Sequence, residues 1–202
     1  MSPRGTAAYD DLSPGTDLPP LVERAVDLAR RLGFANSCRP EHGRLLHALA
    51  ADAGTIGETG TGCGVGLAWL ASGARPDTRL VSVEIDTERA GLVASLFADL
   101  PQLAVLPGDW RELYRAAPFD LLVLDGGEYP PDPEELLKPG GTVVIDDLTP
   151  ASAWPPRFGG QVDQARMHWL THPPWTPPNS GWPPTWPPSS PPAASLLANR
   201  AS

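Results

Sequence analysis

The chain is poor in several things that would each have set its class. Its 202 residues include two cysteines, Cys38 and Cys63, too few for a disulfide framework, so reduced thiols are expected. No stretch approaches the roughly 20 consecutive apolar residues of a membrane span, and the opening MSPRGTAAYDDLSPG lacks the apolar run of a signal peptide. Basic residues are short as well, 15 against 24 acidic, for a net charge of −9. Nucleic-acid partners normally require a basic face, and the acidic balance argues against that class. These shortfalls predict a soluble, cytoplasmic protein built around one well-filled domain, with a small molecule rather than a nucleic acid or a membrane as its partner.

Residues 1–16 are polar and rich in turn formers and are expected to form a loose leader. From Asp17, apolar positions at Leu18, Leu21, Val22, Ala25, Leu28, Ala29 and Leu32 follow a 3.6-residue period, with Asp17 as a cap and Gly33 past the end. A second amphipathic helix follows, capped near Ser37, with Leu45, Leu46 and Leu49 as its apolar stripe. Beyond Gly54 short apolar runs alternate with helical segments, the pattern of βαβ units and a mostly parallel sheet. Strands are expected at 55–59, 79–85, 103–106, 119–124 and 142–145, with helices around 67–71, closed by Gly73, and after Thr87, a candidate N-cap. The predicted domain covers 17–172. In residues 173–192, PPWTPPNSGWPPTWPPSSPP, every second residue on average is proline, which excludes a central strand or a helix and leaves polyproline II or irregular chain. Residues 193–202 read as one last short strand and the C-terminus.

Acidic residues fall on this strand map with a pattern. Glu58 ends the first strand, Glu84 the second, Asp109 follows the third, Asp125 ends the fourth, and Asp146 with Asp147 ends the fifth. In an open α/β sheet the ligand crevice lies outside the carboxyl ends of the strands, so these acids point to a single site, although each alone is as readily a solvated loop carboxylate. The stretch ETGTGCGVG supplies the matching loop: Gly60, Gly62 and Gly64 let a strand turn tightly into a helix with backbone N–H groups close to a ligand. Its E-x-G-x-G-x-G spacing is not the G-x-G-x-x-G of dinucleotide-binding dehydrogenases. Glu84, twenty positions after Gly64, is well placed to bind both hydroxyls of a ribose.

The ordered set Glu58-x-Gly60-x-Gly62-x-Gly64, VSVEID with Glu84, GDW with Asp109, FDLLVLD with Asp125 and KPGGTVVIDD resembles the class I S-adenosylmethionine-dependent methyltransferases. Within them it is most similar to the small O-methyltransferases related to catechol and caffeoyl-CoA methyltransferases, over about residues 39–170. The resemblance implies a Rossmann-like α/β fold: a doubly wound, mostly parallel sheet with helices on both faces, here with a disrupted C-terminal β-hairpin. It implies that the glycine loop, with Glu58 and Asp125, holds the methionine end of S-adenosylmethionine, that Glu84 binds the ribose, that Ile85 packs on the adenine, and that Asp109 and Trp110 border its amino group. It further implies a divalent cation, usually magnesium, held by Asp125, Asp146 and Asp147 against the hydroxyl oxygens of the acceptor; oxygen ligands suit such a hard ion. A homodimer is compatible with this reading.

The sequence departs from that pattern at several positions. Position 147 is Asp where the family has Asn, Glu128 stands at the family's lysine, and Gly66 at a frequent serine. Asp125 and Lys138 are only 13 positions apart, so the helix between them is expected to be trimmed. No general base is assigned. His42, in RPEHGRLL beside the expected cofactor site, is a candidate on titration range alone, against the plainer reading of a satisfied polar histidine; Cys63 reads as a filler of the glycine loop. The alternative reading is a cofactor-binding interaction protein with impaired chemistry that docks through its proline- and tryptophan-rich segment.

Overall fold

The short aliphatic runs become the strands that period and length predict. In the computed structural model, which describes residues 4–13, 16–126, 130, 132–146, 155–171 and 196–199, five parallel strands form the sheet. They are β1 (Thr55–Thr59), β2 (Arg79–Glu84), β3 (Leu103–Pro107), β4 (Phe119–Leu124) and β5 (Leu137–Ile145), with mutual order β3-β2-β1-β4-β5. The order reverses at β1, the kind of switch point at which open α/β sheets leave a crevice. Past residues 157–158 (β6) and 161–162 (β7), a small hairpin turned by Gly159 and Gly160 at φ +58° and +82°, the strand β8 (Leu196–Asn199) adds antiparallel to β5.

Helices α1 (Pro20–Arg31), α2 (Pro40–Ala50), α3 (Val65–Gly73) and α4 (Thr87–Leu96) bury apolar faces on one side of the sheet, against Ile56, Leu80, Leu121, Val123 and Val144. The opposite face, carrying Val81, Val83, Phe119, Leu122, Leu124, Val143 and Ile145, is covered more thinly, by 3₁₀ turns at Trp110–Arg115 and Pro133–Leu136 and by α5 (Gln164–Thr171) through Trp169. The described part of the connection before Lys138 includes this second turn. Its run of prolines offers too few N–H groups for an α-helix. The caps differ from the expected ones. Pro20 and Pro40 occupy the first helical positions of α1 and α2, where the missing N–H costs nothing, and neither Pro19 nor Arg39 before them makes a side-chain cap. Asp86, not Thr87, caps α4 by accepting from the Arg89 N–H at 3.0 Å.

The expected loose leader is corrected over residues 4–13. Tyr9 is only 6% exposed; its hydroxyl donates to the Cys38 carbonyl and accepts from Trp69 Nε1, both at 2.9 Å. An aromatic ring buried with both hydrogen-bonding capacities of its hydroxyl satisfied holds the segment on the core. The proline-rich segment 173–192, with Trp175, Trp182 and Trp186, lies outside the described residues, as do Asp147, Glu128 and Trp154. No helix among the described residues is long and apolar enough to cross a membrane.

Candidate active site at the carboxyl edge of the sheet

Strand alternation decides which acids meet. Side chains on a strand alternate faces. Counting on by twos from Ile56, Leu80, Val123 and Val144, which face the α1–α4 layer, brings Glu58, Ser82, Glu84, Asp125 and Asp146 to that same side. Register aligns them further. Thr59 pairs with Val83 and with Leu124, and Leu124 with Ile145. The next residues along, Gly60, Glu84, Asp125 and Asp146, therefore form one row across the carboxyl ends, with Glu58 two residues below.

The turn from β1 into α3 is made by Gly60, Gly62 and Gly64, all left-handed at φ +74°, +55° and +81°. A Cβ on Gly60 would sit 2.4 Å from the Asp125 carbonyl oxygen, a backbone contact that cannot yield without moving β4. A Cβ on Gly64 would meet Val93 at 2.8 Å. The glycines thus bring the turn against its neighbours and leave its N–H groups accessible to the row of acids: Gly62 donates to Glu84 Oε2 at 2.7 Å.

Two buried carboxyls differ in what they meet. Glu58, 4% exposed, accepts from Ser82 Oγ at 2.5 Å, and Ser82 shares a 2.6 Å hydrogen bond with Thr61. Burial is the main cause that pushes its pKa up, to about 8; the Ser82 hydrogen bond opposes the shift, and Asp125 and Glu84 add to it. Glu58 is therefore mostly protonated at neutral pH. Glu84, 2% exposed, accepts from Gly62, from the Asp86 N–H at 3.0 Å and from Arg89 Nη2 at 2.7 Å. The Arg89 guanidinium also lies 5.2 Å from the Phe34 ring centroid.

Around these acids, Ile85 projects from the end of β2 with 78% of its surface exposed. Asp109 caps the turn that begins at Trp110, accepting from Arg111 N at 2.8 Å and from Arg111 Nη1 at 2.7 Å, with the Arg111 guanidinium over the Trp110 ring. The Asp125 main chain is clasped by the Thr59 hydroxyl, which donates to its carbonyl at 2.9 Å and lies 3.1 Å from its N–H. Asp146 meets His42 of α2, with Nδ1 to Oδ1 at 2.7 Å and side-chain exposures of 6% and 8%. That contact is at ion-pair distance without hydrogen-bond alignment. Cys38 sits among them, its thiol pushed up by burial first and then by Asp146, Asp125 and Glu58.

The glycine turn faces residues 34–38 across a crevice with a volume of about 10 Å³, room for about one water. Residues 34–38 are pinned from outside. Thr6 hydrogen-bonds the Phe34 carbonyl, the Ala35 carbonyl and the Ser37 hydroxyl, and Tyr9 the Cys38 carbonyl. A larger cavity of about 250 Å³ lies at the opposite edge, beside Asp52, Asp120 and Gly140. Oδ2 of Asp120 there accepts from Gly54 N, Thr55 and Lys138, so it ties β1 to β5.

The structure thus gathers Glu58, the three glycines, Glu84, Asp125 and Asp146 in one neighbourhood, with Ile85, Asp109 and Trp110 on the same edge. Among the described residues no group of three or more His, Cys, Asp or Glu side chains could hold a metal ion; Asp147 is not among them. Sequence reasoning missed Arg89, Ser82 and the arm carrying Thr6 and Tyr9. Ser82 could have been found by its alternation with Glu84. The arm had no local signal.

A switch-point sheet with a left-handed glycine turn and a carboxylate at the end of the second strand is a Rossmann-like arrangement, and solved methyltransferases share it. The O-methyltransferase TomG from Streptomyces achromogenes, solved in complex with SAM, superposes with a TM-score of 0.61 at 25% identity, covering 83% of this chain and 84% of that one. A methyltransferase from Geobacter sulfurreducens shares the fold with a TM-score of 0.64 at 20% identity, over 100% of this chain and 98% of that one. In sequence the chain is 31% identical over 137 residues to a protein of Mycobacterium sp. (strain JLS) named as an O-methyltransferase, and 33% identical over 137 residues to one of Mycobacterium avium (strain 104). Each alignment takes in 61% of this chain, and the chain spans about 60% of the length of these curated relatives. No protein-family profile matches. The chain is thus similar in sequence to proteins named as O-methyltransferases and similar in fold to solved methyltransferases.

Proposed function

We propose that the chain transfers a methyl group from S-adenosylmethionine to a hydroxyl of a small-molecule acceptor. The observation that carries this reading is the glycine turn packed against Glu84, next to an aliphatic side chain, Ile85, that the fold leaves 78% exposed. A carboxylate suits a vicinal diol, and an exposed aliphatic side chain suits the face of a base. Bound S-adenosylmethionine supplies a methyl group on a positively charged sulfur. The row of acids complements that charge, since carboxylates in a cleft of low dielectric focus a negative field.

The chain's own residues have defined tasks in this reading. The Gly60, Gly62 and Gly64 backbone lets the ligand approach the strand tips. Of the roughly four lone-pair sites of a carboxylate, Glu84 has three taken by Gly62, Asp86 and Arg89. Arg89, with 24% of its side chain exposed against 2% for Glu84, is the donor able to swing aside when a diol takes its place. Residues 34–38 must also shift, because the present crevice admits about one water. Asp109, Trp110 and Ile85 form the far wall, and Glu58, protonated when alone, can ionise beside a ligand ammonium. Catalysis then rests on holding the acceptor oxygen in line with the methyl group in a site that excludes water.

Titration calorimetry of the full chain with S-adenosylmethionine tests this. Saturable binding is expected, weakened about tenfold or more by Glu84→Ala, because hydrogen bonds to a charged group contribute about 1.5–3 kcal/mol each. Label from the cofactor's methyl group should then appear on oxygen in a set of hydroxylated aromatic acceptors. Absence of cofactor binding by the folded wild type would refute the reading.

A further inference from the structure

We infer that His42 occupies the place beside Asp146 that a divalent cation would need, and that methyl transfer by this chain does not use a metal held at Asp146. This inference rests on the methyltransferase reading, which through the resemblance of KPGGTVVIDD brings with it a hard cation bound by acids of β4 and β5. Such an ion takes six or more oxygen ligands at about 2.0–2.6 Å. Asp146 instead presents Oδ1 to an imidazole nitrogen at 2.7 Å, with both side chains more than nine-tenths buried. A cation on that oxygen would have to take the imidazole as a ligand or push it away. Nitrogen is a poor partner for magnesium, whose preference is for carboxylate, carbonyl and water, and His42 is held by its place in α2, at 7% exposure.

Asp147, the other acid that the resemblance assigns to such an ion, lies outside the described residues. Asp125 and Asp146 stand in one row, yet no third His, Cys, Asp or Glu among the described residues joins them in a group fit for a metal.

Manganese titration followed by electron paramagnetic resonance, on the full chain saturated with S-adenosylhomocysteine, decides the matter without relying on turnover. The free-ion signal should be undiminished at millimolar manganese, and a chelator should leave the initial rate of methyl transfer unchanged. Stoichiometric manganese binding that Asp146→Asn abolishes would overturn the inference, provided that variant still unfolds cooperatively. Failure to bind S-adenosylhomocysteine would instead remove the methyltransferase reading and leave the manganese result to stand by itself.

Discussion

Replacing Glu58 by glutamine should change how stability depends on pH, with little effect at the acid end and the largest effect near pH 8. Glutamine keeps the shape and an oxygen to accept from Ser82 but cannot ionise. Burial raises the Glu58 pKa from 4.5 to about 8, about 3.5 units, and at about 1.36 kcal/mol per unit the full effect has a ceiling of about 5 kcal/mol. The sign follows from proton counting. Between pH 4.5 and about 8 the folded chain keeps a proton that the unfolded chain has lost, so this group lowers stability as pH rises through that window, and the loss levels off above it. Urea unfolding of wild type and Glu58→Gln at pH values from about 5 to 8 reads the difference. The variant should gain on the wild type by up to about 1.4 kcal/mol per pH unit, ending several kcal/mol ahead. Parallel stability curves would refute both the raised pKa and the closed, water-poor setting of the β1 tip.

Three further substitutions probe the same edge. Gly60→Ala forces a left-handed residue with a Cβ 2.4 Å from the Asp125 carbonyl; a loss of at least about 1–3 kcal/mol, seen as a lower melting temperature, and loss of cofactor binding are expected, and an unchanged melt would mean that the turn relaxes freely. Ile85→Ser removes a side chain that is 78% exposed, so stability should stay within about 0.5 kcal/mol while the calorimetric Kd for S-adenosylmethionine rises by about tenfold, from about 1.5 kcal/mol of lost apolar contact; an unaltered Kd would remove Ile85 from the site. Tyr9→Phe strips the hydroxyl that accepts from Trp69 Nε1 and should cost about 1–3 kcal/mol through a buried unsatisfied donor, measured by denaturant unfolding. No loss would show the Tyr9 hydroxyl, as distinct from its buried ring, to be dispensable.

Much of the sheet was readable because its signals are local. The runs at 55–59 and 119–124 became β1 and β4 residue for residue, since a parallel strand buried on both faces is a short continuous aliphatic stretch bounded by turn formers. The glycine turn was equally legible, three glycines at alternate positions after a strand having few uses other than a left-handed turn. Helix starts were less so: Asp17, Ser37 and Thr87 were expected as caps, whereas Pro19 and Arg39 precede α1 and α2 without a side-chain cap and Asp86 caps α4. Several side chains can cap one helix, and the choice is settled by how the chain enters it.

Local pattern sufficed for the strands, their alternation and the acids at their ends, because period and composition act over a few neighbouring residues. Only the packed chain decided which groups those acids meet. His42 reaches Asp146 across 104 positions and Tyr9 reaches Trp69 across 60, and Arg89 turns back onto Glu84 rather than out to water. Such contacts arise from where helices dock on the sheet, a sum of many small packing terms that no short window of sequence contains.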